Sequence, residues 1–198
     1  MRSYTITPVC KDIDWSTIPS LPIDIPLWGT ETDIRAQARV CYDENALHIK
    51  MEAAETHIRA EEEGPLASPC RDSCLEFFFS PMDGDSRYFN IEFSPTGCMY
   101  LGFGGSQFGL FRLIREANPL EPAITRTCDG WEITYRVPFA MIHQFFPEFE
   151  AKPGKCIRAN FYKCGDRTVN KHYLCWNPIT GLVKSYHLPE FFAPLYFG

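Results

Sequence analysis

Apolar residues fall at every second position through much of this chain. Ala36, Ala38, Val40 and Tyr42 alternate with polar neighbours, and so do Leu47, Ile49, Met51 and Ala53. The turn Asp43-Glu44-Asn45 stands between the two runs, so the pattern predicts a β-hairpin. Leu75, Phe77 and Phe79, then Phe89, Ile91 and Phe93, then Met99, Leu101 and Phe103 repeat the alternation across turns rich in Pro, Gly and Asp. These predict a three-strand meander. Further strands are predicted over 124–128, at Trp131, Ile133, Tyr135 and Val137, and at Ile157, Ala159 and Phe161. Alternation lapses only over 139–146, between Pro138 and Pro147, where one or two helical turns are expected. Many short strands with turns between them and very little helix predict an all-β chain, an antiparallel β-sandwich of immunoglobulin-like or jelly-roll type.

Composition sharpens this picture. The 198 residues include 16 Phe, 9 Tyr, 16 Pro and 13 Gly, a mixture that favours strands and turns. No linker-like or low-complexity stretch divides them, so a single domain over 1–198 is expected. A net charge of −6 argues against a phosphate-binding surface and so against nucleic acid as a partner. No run approaches the roughly 18 apolar residues of a membrane span, and the first residues lack the apolar core of a signal peptide. The chain as written reads as cytoplasmic with no membrane partner, while a trimmed leader on a secreted precursor stays open. The nine cysteines form no CxxC pair. Cys70 and Cys74, four apart, are the nearest to a bridge or ligand pair, and reduced, mostly buried thiols are expected.

If the Phe and Ile of the central strands point to the core, the alternate residues share the opposite face. These are Glu76, Asn90 and Glu92, then Arg136, then Arg158, Asn160 and Tyr162. Together they form a polar patch suited to the vicinal hydroxyls of a sugar, and the same pattern also suits an ordinary solvated face with cross-strand ion pairs. The late segment adds His172, Tyr173 and Trp176, with Asn177-Pro178 placing Trp176 near a turn where its ring can stack. Trp131 reads as core, and Trp28, in a Pro-rich entry segment, is a candidate to line a site.

Two other chemistries are open. Glu76 and Glu92, at about 5 to 10 Å, would be the acid pair of a glycoside hydrolase, although Asn and Arg beside them are expected to keep both ionised. A haem-binding sandwich would use His172 or Met51 as axial ligand. No GxSxG, HExxH or phosphate-cradling loop occurs. The five histidines are scattered, so no transition metal is assigned, and Ca²⁺ is the one ion the polar turns suggest, at Asp43, Glu44 and Asn45 or at Asp83 and Asp85.

Residues 40–47, 72–79, 88–97, 131–139 and 158–176, in that order and spacing, resemble the free-standing branch of the family 9 carbohydrate-binding modules. The resemblance spans most of the chain. It implies a β-sandwich that binds glycan chain ends or small sugars without catalysis, often beside xylanases or other glycoside hydrolases of polysaccharide breakdown, with calcium in some members. It also implies two tryptophans clamping the sugar. Trp176 takes the late position and Glu76 that of the strand carboxylate, whereas the early position falls at Pro69-Cys70, with Trp28, Phe108 or Phe111 as replacements.

Overall fold

The computed structural model describes every residue except 11, 115 and 116, and among these the chain forms fourteen strands and one short helix. In order they are β1 (Tyr4–Pro8), β2 (Leu21–Ile23), β3 (Ile25–Pro26), β4 (Arg35–Tyr42), β5 (Ala46–Ala54), β6 (Cys74–Ser80), β7 (Tyr88–Phe93) and β8 (Met99–Gly104). Then follow β9 (Phe111–Arg112), β10 (Ala123–Arg126), β11 (Gly130–Pro138), α1 (Phe139–His143), β12 (Cys156–Cys164), β13 (Tyr173–Cys175) and β14 (Ala193–Phe197). The expected hairpin is β4–β5. Asp43 Oδ1 closes it by accepting from the amides of Asn45 and Ala46, the side-chain mimic of a turn that Asp favours. The expected meander is β6–β7–β8, and the expected helix is α1. No helix among the described residues is long and apolar enough to cross a membrane.

The strands join in one sheet whose main path runs β10-β11-β5-β4-β1-β14-β12-β6-β7-β8-β9. Its pairings are antiparallel except at β1, which lies parallel to both β14 and β4. A wholly antiparallel fold is therefore not what forms. No hairpin ties β1 to either partner, so no tight turn fixes its direction. The sheet curls until both halves share one core, in which Phe77, Phe79, Phe89 and Phe161 meet Val40, Ile49, Met51 and Ile133. Phe77 stacks on Phe161 at 4.6 Å and on Phe79 at 4.9 Å.

A second, smaller core covers the other face of β6, β7 and β12. Phe78, Tyr88 and Tyr162 point away from the main core and are capped by Leu27, Tyr186 and Phe192. Every residue of β6 and β7 is buried, as expected for strands packed on both faces. The outward face of these strands is thus not solvated. The late segment 181–192 straps across it, and where the strap stops short a groove remains.

Candidate functional site

The groove encloses about 550 Å³, with Glu76 of β6 and Glu92 of β7 in its lining. They are cross-strand partners and lie side by side. Around them stand Cys70 and Cys164, the rings of Trp28, Tyr173, Tyr186 and His187, and the polar side chains of Asp166, Lys171 and Lys184. Tyr162, Tyr186 and Trp28 form a stack, 4.0 Å between the first two rings and 5.3 Å between the last two. Trp28 is its outermost, half-buried member and meets Tyr173 edge-on at 4.8 Å. Backbone geometry fixes the ring there. Trp28 and Gly29 take φ of +58° and +76°, and Thr30 N and Oγ1 both donate to Leu27 O across the turn. A bulky residue at positive φ is uncommon and costs about 1–3 kcal/mol, a pattern that clusters at ligand sites.

Burial dominates the electrostatics. Glu76 is 2% exposed and Glu92 8%, and among the described residues no Lys or Arg forms an ion pair with either. Glu76 Oε1 accepts from the Cys164 thiol at 2.9 Å, and Glu92 Oε1 from Asn90 Nδ2 at 3.0 Å. Loss of hydration pushes Glu92 up to about 7, and pushes Glu76 well above the carboxylate range with the charge of Glu92 adding to it. The expectation that neighbouring polar groups keep both ionised is overturned, because the arginine meant to help turns away: Arg158 Nη2 donates to Phe192 O. Near neutrality the groove floor therefore offers both carboxyl O–H donors and carboxylate acceptors, while Lys171 and Lys184 add donors at the rim.

A sequence description of carbohydrate-binding family 9 matches residues 9–197, nearly the whole chain. The chain belongs to carbohydrate-binding family 9. Solved structures share the fold of this family 9 chain across almost their full length. A Bacteroides uniformis protein to which carbohydrate binding is ascribed is 24% identical, with a TM-score of 0.86 over 100% of this chain and 99% of that one. A family 9 module from Caldicellulosiruptor kristjanssonii in complex with glucose is 11% identical, with a TM-score of 0.73 over 100% and 96%. The same organism's family 9 module in complex with cellotriose is 12% identical, with a TM-score of 0.68 over 99% and 93%. At these identities the likeness is one of fold. No curated protein matches the sequence.

Of the residues singled out in the sequence, this family 9 chain brings Glu76, Glu92, Tyr173 and Trp28 into the groove. Trp176 is elsewhere: it is 2% exposed in the main core, edge-on to Phe161 at 5.9 Å, with no ring face open to a ligand. Asn160 also turns to structural work, its Nδ2 donating to Asn177 O while its Oδ1 accepts from Asn177 N. Tyr162 donates to Tyr186 O and, with Arg158, ties down the strap. Asn90 sits beneath the groove, bonded to Glu92. His172 is fully buried between Lys163 Nζ and Asn170 O, and Arg136 pairs with Glu121 on the other half of the sheet. Sequence reasoning missed Tyr186, His187, Asp166 and the two lysines. The aromatic richness of the last fifth of the chain was the available signal, but it has no period to say which ring faces where.

Other placements carry less chemistry. A cavity of about 760 Å³ borders β4, β5 and β11, but its one tryptophan, Trp131, is 1% exposed and its carboxylates are surface groups. The hydrolase reading needs carboxyls on opposite sides of a glycosidic bond, whereas Glu76 and Glu92 line the same wall. The haem reading needs free axial ligands. Both ring nitrogens of His172 are engaged, and Met51 lies in the main core accepting from Tyr135 Oη. Asp43 and Asp85 spend their oxygens on their own turns, Asp43 also on His48 and Asp85 on Arg87. All nine cysteines are free, Cys70 and Cys74 included.

Proposed function

We propose that this chain binds carbohydrate without chemistry, as one module of jelly-roll type, seating a sugar unit in the groove over Glu76 and Glu92. One observation carries the reading: a single groove joins buried carboxyl groups to a partly open aromatic ring. A pyranose has the same two characters, hydroxyls around its edge and a C–H face that packs on a ring. The family 9 modules in complex with glucose and cellotriose support a glucose-type unit or the end of a β-glucan chain as ligand. In this reading the module holds polysaccharide fragments beside a glycoside hydrolase. Calorimetric titration with glucose, xylose, cellobiose and xylobiose tests it. Saturable heat from at least one sugar, lost in Glu92→Leu and retained in Arg136→Ala, is the expected outcome. Absence of heat from all four would refute the proposal.

A further inference from the structure

Glu76, which the proposed sugar site shares, stands among groups of the groove floor that sugar recognition does not use. Cys74 and Cys164 are direct partners across β6 and β12, and Glu76 lies two residues along β6 on the same face. Their sulfurs and one carboxylate oxygen all lie within 4.8 Å of one another, and all three residues are buried. Tetrahedral ligands at about 2.0–2.3 Å from a metal stand roughly 3.3–3.8 Å apart, so small side-chain rotations bring this trio to coordinating distance. The three are held on central strands rather than loops, and Glu76 and Cys164 border the groove, which gives an ion a way in. Glu92 and Cys70 flank them there. No basic side chain among the described residues forms an ion pair with Glu76 or Glu92, and the lysines that line the groove, Lys171 and Lys184, stand at its rim.

We propose that Cys74, Cys164 and Glu76 form a binding site for a thiophilic divalent ion of the Zn²⁺ type, with its fourth position turned toward the groove. Thiolate sulfur with one carboxylate selects zinc over the hard ions calcium and magnesium. Only thiolate and carboxylate ligate, so each cysteine gives up its S–H proton and Glu76 its carboxyl proton to solvent as the bonds to the metal form, and the bonds are dative with no change of oxidation state. Binding releases protons from the ligands, so affinity climbs with pH.

Co²⁺ titration of the reduced, metal-free full chain tests this, because thiolate-to-cobalt charge transfer and strong visible bands report a tetrahedral thiolate site. The expected result is one equivalent of Co²⁺ bound with that spectrum, displaced by Zn²⁺, and tightening as pH rises from about 6 to 8. Glu76→Gln is expected to weaken binding by at least the roughly 10- to 100-fold that outer partners of metal ligands carry. Cys74→Ser with Cys164→Ser is expected to abolish the charge transfer. The exposed Cys10 and Cys128 are the natural source of adventitious binding, and Cys10→Ser with Cys128→Ser must leave the spectrum intact. Wild-type chain with no charge-transfer band, or a band that disappears with Cys10 and Cys128, overturns the site. The Glu76→Gln and surface-cysteine variants keep the test decisive if the buried pair cannot be replaced without unfolding. Sugar binding plays no part in the readout, so failure here leaves the carbohydrate reading standing.

Discussion

Two tryptophans divide the work at the residue scale. Trp28 ends an aromatic stack at the groove, whereas Trp176 fills the main core. Trp28→Ala is therefore expected to weaken sugar binding by about 1 kcal/mol or more, at least about fivefold, with little loss of stability. Trp176→Ala should do the reverse, costing about 3–5 kcal/mol of stability through the cavity it leaves. Titration calorimetry and urea unfolding of the two variants separate these effects. Sequence favoured Trp176, since Asn177-Pro178 beside it signals a turn. The chain does bend at Trp176 and Asn177, but Asn160 receives Asn177 on the main sheet and draws the ring inward. Glu76 and Glu92 were legible because strict alternation fixes which face a strand residue takes. Their burial was not, because alternation says nothing about what covers that face.

At the scale of elements, the long strands β4 to β8, β11 and β12 could be read from period-two patterning. The two- and three-residue strands β2, β3, β9 and β13 have too few positions to show any period, and their partners are set by tertiary packing. The segment between β5 and β6 has no regular pattern either, yet it is firmly anchored. Lys163, fully buried, pairs with Glu55 at 3.1 Å, and Glu55 also accepts from Trp131 Nε1 and Ser73 Oγ. Further along, the buried Asp72 pairs with Arg59 and accepts from the amides of Glu61 and Glu62. This network sets the start of β6 and hence the position of Glu76. Lys163→Met would leave Glu55 buried without its cation, and a loss of about 3–5 kcal/mol in chemical denaturation is expected. Lys163→Met with Glu55→Gln should recover part of that loss.

For the whole molecule, the buried titratable groups predict how stability follows pH. Glu92, raised to about 7, and Glu76, raised further, keep their protons longer in the folded chain than in the unfolded one. Their contribution is full below the unfolded value of about 4.5 and is lost as pH climbs through 7. Burial, with Lys163 adding to it for His172, lowers His172 and His187 to about 4, so their contribution is lost as pH falls from 6.5 through about 4. Between these limits the two trends oppose each other. Thermal unfolding should show the two trends offsetting between about pH 4.5 and 6.5, a loss below that as the histidines charge near 4, and a fall above 6.5 as the carboxyls go on ionising through 7 and beyond. Glu92→Gln should remove that carboxyl's share of the slope, on the order of 2–3 kcal/mol spread over about pH 4.5 to 7. The central claim, that one groove takes the sugar, is tested most directly by the indole N–H signals of the four tryptophans in ¹H–¹⁵N spectra during titration with cellobiose. Trp28 is predicted to shift in a saturable way while Trp131 and Trp176 stay in place. A shift at Trp131 with none at Trp28 would put the ligand in the cavity beside β11 and contradict the account.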